Sequence, residues 1–149
     1  MKKILLYLIL SMTTLFGGNN SNTLVVDNTT IGTQNCEGFG SSYSTIHDAV
    51  NAAQNGDTIK VCKGDYNEQA TVRVDNLTIM NGADVSTPSD VNWYYKDDVL
   101  KIGDSNNKPK NLTVENISLH STSTSSNSKA IRINYATKKI TLQNLLSQS

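Results

Sequence analysis

The residues best suited to bind a ligand are concentrated in one segment, TPSDVNWYYKDD, residues 87–98. The candidate ligand-binding residues in it are Trp93, Tyr94, Tyr95, Asp97 and Asp98. Exposed aromatic rings stack on sugar rings, and carboxylates hydrogen-bond to sugar hydroxyls or hold Ca²⁺ through oxygen ligands. The segment is therefore a candidate loop for carbohydrate binding. We favour the other interpretation, in which the loop folds back and packs its aromatic rings on the outside of a sheet, because large aromatic side chains are usually buried for packing.

The sequence predicts no catalytic residues. Its two histidines, His47 and His120, have no serine or cysteine nucleophile patterned around them. Asp97 and Asp98 are adjacent, so in a strand they would point to opposite faces, whereas a glycosidase needs two carboxylates on either side of one substrate. We expect no cofactor, because nothing beyond these two carboxylates supports a Ca²⁺ ion.

The N-terminus, MKKILLYLILSMTTLFGG, has the pattern of a secretory signal peptide over residues 1–18. Its apolar run is shorter than the roughly 20 residues that a membrane-spanning helix needs. We expect a secreted or surface-attached protein with no membrane span after cleavage. Without Lys2 and Lys3 the chain has 11 basic and 13 acidic residues, and it has no basic stripe, which argues against a nucleic-acid partner.

Two cysteines, Cys36 and Cys62, are present. An even count in an exported chain favours a disulfide over two free thiols. Neither cysteine has a Cys-x-x-Cys partner or a histidine at zinc spacing, so no metal site is predicted.

Residues 44–56, STIHDAVNAAQNG, form the one segment with a clear helical period. The apolar positions fall on one narrow face at Ile46, Ala49, Val50 and Ala53. Ser44 suits the N-cap, and Gly56 suits a left-handed position just past the helix. The sequence predicts a short helix with a buried face of small residues.

After Gly56 the apolar period changes from 3.6 to 2, which indicates short strands with one apolar face each. The predicted strands are TIKV at 58–61, TVRV at 71–74, NLTIMN at 76–81, VLKI at 99–102, NLTVENISL at 111–119, AIRIN at 130–134 and KITLQNLL at 139–146. The third, fifth and seventh align with spacings of 35 and 28 residues. A constant strand core with variable spacing is typical of a solenoid.

A parallel β-helix fits these repeats better than helical repeats or a propeller. Its coils stack at the ordinary strand spacing of about 4.8 Å, with apolar side chains inside and turn residues at the corners. Asn81, Asn116 and Asn144 follow their strands at one offset, so we expect them to form a ladder at one corner. About three coils fit between residue 57 and the C-terminus.

The segment YSTIHDAVNAAQNGDTIKVCKGDYNE resembles the N-terminal cap and first coil of secreted right-handed parallel β-helix proteins of the pectin-lyase-like superfamily. The matching residues are Thr45, Ile46, Ala49, Ala53, Gly56, Asp57, Gly64, Tyr66 and Glu68. The resemblance implies an all-β, right-handed parallel β-helix with a short capping helix at its N-terminal end. In such a cap, a disulfide between Cys62 and Cys36 would hold the helix in place and contribute about 3 kcal/mol.

The Gly-x-Tyr-x-Glu pattern is shared with pectin methylesterases, whose chemistry lies on later coils. This sequence has no Gln-Asp-Thr and no Asp-Phe-x-Phe-Gly segment, so the family's catalytic residues are not carried over. We therefore expect an exported, non-catalytic β-helix segment that binds carbohydrate or a cell surface. The alternatives are the N-terminal part of a polysaccharide-active esterase or lyase, and a structural stalk or adhesin passenger.

The expected organisation is a signal peptide at 1–18, an N-terminal segment at 19–43, and the capping helix with its coils at 44–149. Leu142, Leu145 and Leu146 lie near an end that no cap covers. An open solenoid end favours edge pairing. We expect the chain to be truncated or to be completed by another copy through end-to-end self-association.

Overall fold

The computed structural model describes residues 21–29, 35–38, 43–136 and 138–146. The described part has one α-helix, α1 (Ile46–Ala52), and one 3₁₀ turn, Pro88–Asp90. Its strands are β1 Thr23–Val26, β2 Thr58–Val61, β3 Gly64–Asn67, β4 Ala70–Val72, β5 Thr78–Asn81, β6 Val91–Tyr95, β7 Leu100–Ile102, β8 Leu112–Glu115, β9 Ser118–Ser121, β10 Ile131–Ile133 and β11 Ile140–Gln143. The predicted signal peptide lies outside the described residues.

The strands form three parallel sheets. Sheet A has the order β1-β2-β5-β8-β11, sheet B has β3-β6-β9, and sheet C has β4-β7-β10. From β2 onward the chain visits A, B and C in turn, and each pass pairs with the previous one. The prediction of an all-β protein is confirmed, and the stacked parallel sheets are compatible with a solenoid-like fold.

The register explains the uneven repeat in the sequence. Thr78 pairs with Thr113, 35 residues later, whereas Leu112 pairs with Ile140, 28 residues later. Both pairs keep the strands aligned because the extra residues are confined to the corners. Two residues join sheet A to sheet B in the passes that start with β2 and β8, whereas nine residues, 82–90, do so in the pass between them.

The core lies between the three sheets and is filled by the inward positions of each strand. Ile59, Ile79 and Val114 are adjacent on sheet A and are fully buried. Helix α1 closes one end, with Ile46 and Ala49 buried against the strands. The burial of each isoleucine or valine side chain contributes about 1.5–3 kcal/mol.

Helix α1 is shorter than the predicted segment and begins one residue later than expected. Its N-cap is Thr45, whose side chain accepts a hydrogen bond from the backbone N–H of Asp48, so the assignment of Ser44 as N-cap was wrong. Gly56 has a φ of 92° and is left-handed as predicted. It lies three residues beyond the C-cap Ala53, in the turn that leads into β2.

Three strands depart from the sequence-based expectation. The first is β3, Gly64–Asn67, because residues of the Gly-x-Tyr-x-Glu pattern form a strand of sheet B that was not predicted. Residues 91–95, interpreted as part of a loop, form the strand β6 because Val91 and Trp93 alternate as buried positions. Residues 23–26, placed in an unassigned N-terminal segment, form β1 and pair with β2. Leu24, Val25 and Val26 are all buried, so β1 is an apolar run rather than an alternating strand.

Left-handed asparagines turn the corners of sheet A in two ladders. Asn116 and Asn144 follow β8 and β11 with φ of 56° and 48°, and the Nδ2 of Asn144 donates to the Oδ1 of Asn116 at 3.0 Å. This part of the predicted ladder is confirmed. Asn81 does not have the left-handed backbone, because the nine-residue corner replaces the tight turn there. A second ladder precedes the strands, where Asn111 donates to Asn76 at 2.8 Å.

Replacing Asn116 with alanine should lower the free energy of unfolding by about 1–2 kcal/mol. In the left-handed region the Cβ atom of alanine lies too close to the following carbonyl oxygen, and alanine has no polar side chain that could form a compensating local hydrogen bond. Asn116→Gly should cost less, since glycine adopts this backbone freely. Urea denaturation checks the order. Asn81→Ala is the matched control at the same corner of the preceding pass, and a loss there as large as at Asn116 would contradict the explanation.

The largest exposed apolar side chains of the described residues are Ile133, Tyr135, Leu142 and Leu146, at 44–52% exposure. They lie in β10 and β11 or shortly after these strands, at the opposite end from α1. End-to-end self-association remains a prediction. Among the described residues, none of the helices has the length and apolar character needed to cross a membrane.

Candidate functional site

Sheet B has one face in the core and one outside. Tyr66, Trp93 and Leu119 are adjacent across β3, β6 and β9, and all three are buried. The next residue on each strand faces outward, because successive side chains point to opposite faces. These residues are Asn67, Tyr94 and His120, and we call them the aromatic flank.

Tyr94 and His120 stack on the outer surface. Their ring centroids are 5.5 Å apart and their planes differ by 16°. Nδ1 of His120 is enclosed and makes no hydrogen bond with any described residue. On the same face Nδ2 of Asn92 donates to the Oδ1 of Asp65 at 2.7 Å. The flank therefore presents two stacked rings beside amide and carboxylate groups.

The predicted ligand-binding residues do not form one surface. Trp93 is fully buried, and its Nε1 donates to the backbone oxygen of Glu68 at 2.9 Å. Tyr95 is partly buried and packs against the core at the end of β6. Tyr94 lies on the aromatic flank. Ligand binding by these residues remains a prediction, and of the three aromatic rings it is that of Tyr94 which lies on the outer face.

The two adjacent aspartates lie in the turn after β6 and have different environments. Asp97 is exposed and accepts a hydrogen bond from Oγ of Ser128 at 3.1 Å. Asp98 is 4% exposed and accepts from the backbone N–H of Lys129 at 2.9 Å and from Nε of Arg132. Burial raises the pKa of Asp98, but its bonds to Arg132 and Lys129 outweigh this and hold the pKa below its usual value. The buried Asp98 thus connects the turn after β6 to β10 through its hydrogen bonds.

The Gly-x-Tyr-x-Glu pattern has a structural role at each position. A Cβ on Gly64 would lie 2.5 Å from Oδ1 of Asn28, so a larger residue here would displace the Asn28 side chain. Oη of Tyr66 donates to the backbone oxygen of Cys62 at 2.9 Å, and burial raises the pKa of this phenol. The pattern therefore forms β3, the first strand of sheet B, and Tyr66 ties this strand to the turn that precedes it.

Glu68 also caps α1, which the sequence did not suggest. Its carboxylate oxygens accept the backbone N–H groups of Ile46 at 2.8 Å and of His47 at 2.7 Å. These are two of the N–H groups that a helix N-terminus leaves without a partner. The Nδ1 of His47 lies 2.9 Å from the backbone oxygen of Gln69, so this histidine belongs to the cap.

Glu68 should make stability depend on pH. Burial raises its pKa above the ordinary value, although the N–H groups of His47 and Ile46 oppose the shift. A raised pKa in the folded state means that the folded protein binds the proton more tightly, so this contribution is present at low pH and is lost as the pH rises through the folded pKa. The free energy of unfolding of Glu68→Gln minus that of the wild type should therefore increase between pH 4 and 7. Urea titrations at several pH values check this, and a constant or falling difference would contradict it.

The disulfide between Cys36 and Cys62 is present, as predicted, with Cα atoms 5.7 Å apart. It joins the segment before α1 to the end of β2. The described residues include one group that could hold a metal ion, Cys36, Cys62 and Asp84. Both sulfur atoms of this group are in the disulfide, so they do not offer thiolate ligands.

Comparisons of the sequence with family models and with curated proteins, and of the fold with solved structures, found no match. The candidate site thus depends on its own geometry. Sequence reasoning identified Tyr94 but missed its partners, His120 and Asn67. The period-2 pattern of β6 separates Tyr94 from the inward Trp93, but the identity of the partners depends on the register between strands, which that pattern does not give.

Proposed function

We propose that this chain is an exported, non-catalytic β-helix that binds carbohydrate, free or on a cell surface, through the aromatic flank. The observation that carries the proposal is the stacked pair of Tyr94 and His120 on the outer face of sheet B. Aromatic rings offer a large rigid contact surface for the C–H face of a sugar, and nearby polar groups then fix its orientation.

The neighbouring groups on sheet B suit hydroxyl recognition. The Asn92 amide and the Asp65 carboxylate lie on the same face, and Asn67 is exposed beside Tyr94. Amides both donate and accept, and a carboxylate accepts, so the face can pair with the mixed donors and acceptors of a sugar.

We assign the fold to the right-handed parallel β-helices of the pectin-lyase-like type. The repeated A, B, C order of parallel strands supports a helix, and parallel crossovers are right-handed in about 98% of cases. The cap of α1 over the strands and the Glu68 side chain that follows β3 and binds α1 support the resemblance. Export is supported by the disulfide, because such bonds persist in oxidising compartments.

A polysaccharide-active esterase or lyase is the second candidate. Its support is the outer face of sheet C, where Lys101 and Arg132 are adjacent across β7 and β10. Cationic side chains of this kind suit an anionic polysaccharide. Both lie next to Asp98, with Nζ of Lys101 at 3.9 Å and Nε of Arg132 in hydrogen-bond contact, which lowers the positive charge available to a ligand. The structural stalk is the outcome if no glycan binds.

Affinity measurements on a panel of oligosaccharides test the proposal, with the purified chain and its Tyr94→Ala variant. Loss of one stacking contact should weaken binding by about 2- to 12-fold, since such contacts contribute about 0.5–1.5 kcal/mol. Tyr135→Ala is the matched control, because Tyr135 is exposed and lies outside sheet B. Equal affinity of the Tyr94 variant and the wild type for every bound glycan would contradict the proposal. Release of reducing ends, unsaturated products or ester groups from the glycan would favour the enzyme.

A further inference from the structure

The corner between sheets A and B is enlarged in one pass of the chain. Residues 82–90, which we call the corner insertion, stand where the neighbouring passes have the two-residue turns 62–63 and 116–117. The insertion includes the 3₁₀ turn and leads directly into β6, the strand that carries Tyr94. It is thus a feature of one coil and adjoins the aromatic flank.

The corner insertion is fixed to the preceding pass. The backbone N–H of Lys63 donates to the Asp84 carboxylate at 3.1 Å, and Nζ of Lys63 lies 3.0 Å from Asp90. Asp90 also accepts the N–H groups of Ser86 and Thr87 at 2.9 Å each. The bonds to Lys63 and to these N–H groups lower the pKa of Asp90 to about 2, so it stays a carboxylate. The insertion is therefore held in one conformation on that side.

On its other side the corner insertion borders an open cleft of about 250 Å³. The cleft is lined by Asn81, Val85, Ser86, Thr87, Pro88 and Asn116. Asn81 and Asn116 occupy the same corner in successive passes, directly after the Met80–Glu115 pair. The walls thus combine two carboxamides, two residues with hydroxyls and two apolar residues.

The lining chemistry selects the class of ligand. None of the six lining residues carries a charge, and the carboxylate of Asp90, in the same corner insertion, already has Lys63 and two N–H groups as partners. The cleft therefore offers no counter-charge to an anion or a cation. Carboxamides and hydroxyls both donate and accept hydrogen bonds, whereas Val85 and Pro88 offer a small apolar contact. The volume is below the 300–1,000 Å³ of pockets for drug-sized ligands, which limits the occupant to about one ring.

We propose that this cleft binds a single uncharged sugar ring, at the opposite end of β9 from the aromatic flank. Asn116 and His120 are four residues apart along the chain, which is at most about 13 Å at the rise of a strand, because Asn116 lies in the left-handed turn before β9. A short neutral oligosaccharide lying along β6 and β9 would reach both sites. The inference that one oligosaccharide reaches both sites rests on the proposed function of the aromatic flank. The inference that the cleft binds a sugar ring rests only on the residues that line the cleft.

Side-chain amide NMR signals of the full isotopically labelled chain test the cleft. Neutral methyl glycosides of glucose, galactose and N-acetylglucosamine are titrated, with glucuronic acid as the charged comparison. The signals of Asn81 and Asn116 should shift with at least one neutral sugar and should shift less with the acid. Ser86→Ala and Thr87→Val should each weaken this binding several-fold, whereas Thr124→Val, in an exposed loop, should not.

The outcomes separate the two proposals. If Tyr94→Ala weakens oligosaccharide binding while the Asn81 and Asn116 signals stay unmoved with every neutral sugar, the cleft proposal is wrong and the flank stands. If those signals move and respond to Ser86→Ala while Tyr94→Ala changes no affinity, the cleft stands and the flank is wrong. Unchanged backbone spectra of the two cleft variants show that folding is intact, so a lost shift reports binding alone.

Discussion

Replacing Trp93 with alanine should lower the free energy of unfolding by about 3–5 kcal/mol, the loss typical of a large aromatic truncated in a core. The indole is fully buried between Tyr66 and Leu119 on sheet B. Its Nε1 also donates to the backbone oxygen of Glu68, which would lose that partner. Because Glu68 caps α1, the loss should extend to the capped end of the protein.

Tyr94→Ala is the matched control, since it removes an aromatic ring from the next residue of the same strand. Tyr94 faces outward, so its removal should cost about 1 kcal/mol or less, mainly the stacking on His120. Urea denaturation followed by circular dichroism gives both values. A larger loss at Tyr94 than at Trp93 would mean that β6 is turned by one residue, and the aromatic flank would then be assigned to the wrong side chains.

Removal of the disulfide is the second large effect. The free energy of unfolding should fall by about 3 kcal/mol in each of three variants, Cys36→Ser, Cys62→Ser and the double variant. The reason is that the bond closes a loop with a sequence separation of 26 residues. Cys62 is 1% exposed at the end of β2, and the loop that it closes contains β2 and α1. The loss should therefore appear as early unfolding of the capped end.

The control for the disulfide is the wild type in the presence of a dithiol reductant, which should match the double variant. Hydrogen exchange locates the effect: the amides of α1 should lose protection before those of β8. Equal losses of protection in α1 and β8, or a stability that the reductant does not change, would contradict the conclusion that the disulfide stabilises the capped end.

Most of the strands could be predicted because their burial is alternating. The predicted strand at 58–61 coincides with β2, where Ile59 and Val61 are buried and Lys60 is not. The predicted strand 111–119 is instead two strands, β8 and β9, divided by the left-handed Asn116. The apolar positions move from 112 and 114 to 117 and 119, so the period of 2 breaks at Asn116, and this break is the local sign of the turn.

The aromatic segment was misread because composition was weighed above period. Val91 and Trp93 alternate with Asn92 and Tyr94, which is the pattern of a half-buried strand. Strand β1 was missed for a different reason. Leu24, Val25 and Val26 form a continuous apolar run, so the alternation that indicates a strand is absent there.

The pairing of Tyr94 with His120 could not be read from the sequence. It depends on the register between β6 and β9, and the corner insertion shifts the spacing that would reveal that register. The Glu68 cap is equally non-local, because its carboxylate reaches N–H groups 21 and 22 residues earlier. Local patterns predict strands, but these contacts arise when the passes of the chain stack.

The most direct test of carbohydrate binding by the aromatic flank is an NMR titration of the full chain with the tightest-binding oligosaccharide of the panel. We expect the largest shift changes on Asn67, Tyr94 and His120, with the sugar recovered unmodified. Shift changes confined to Lys101 and Arg132 on sheet C, or binding with no change on sheet B, would contradict it.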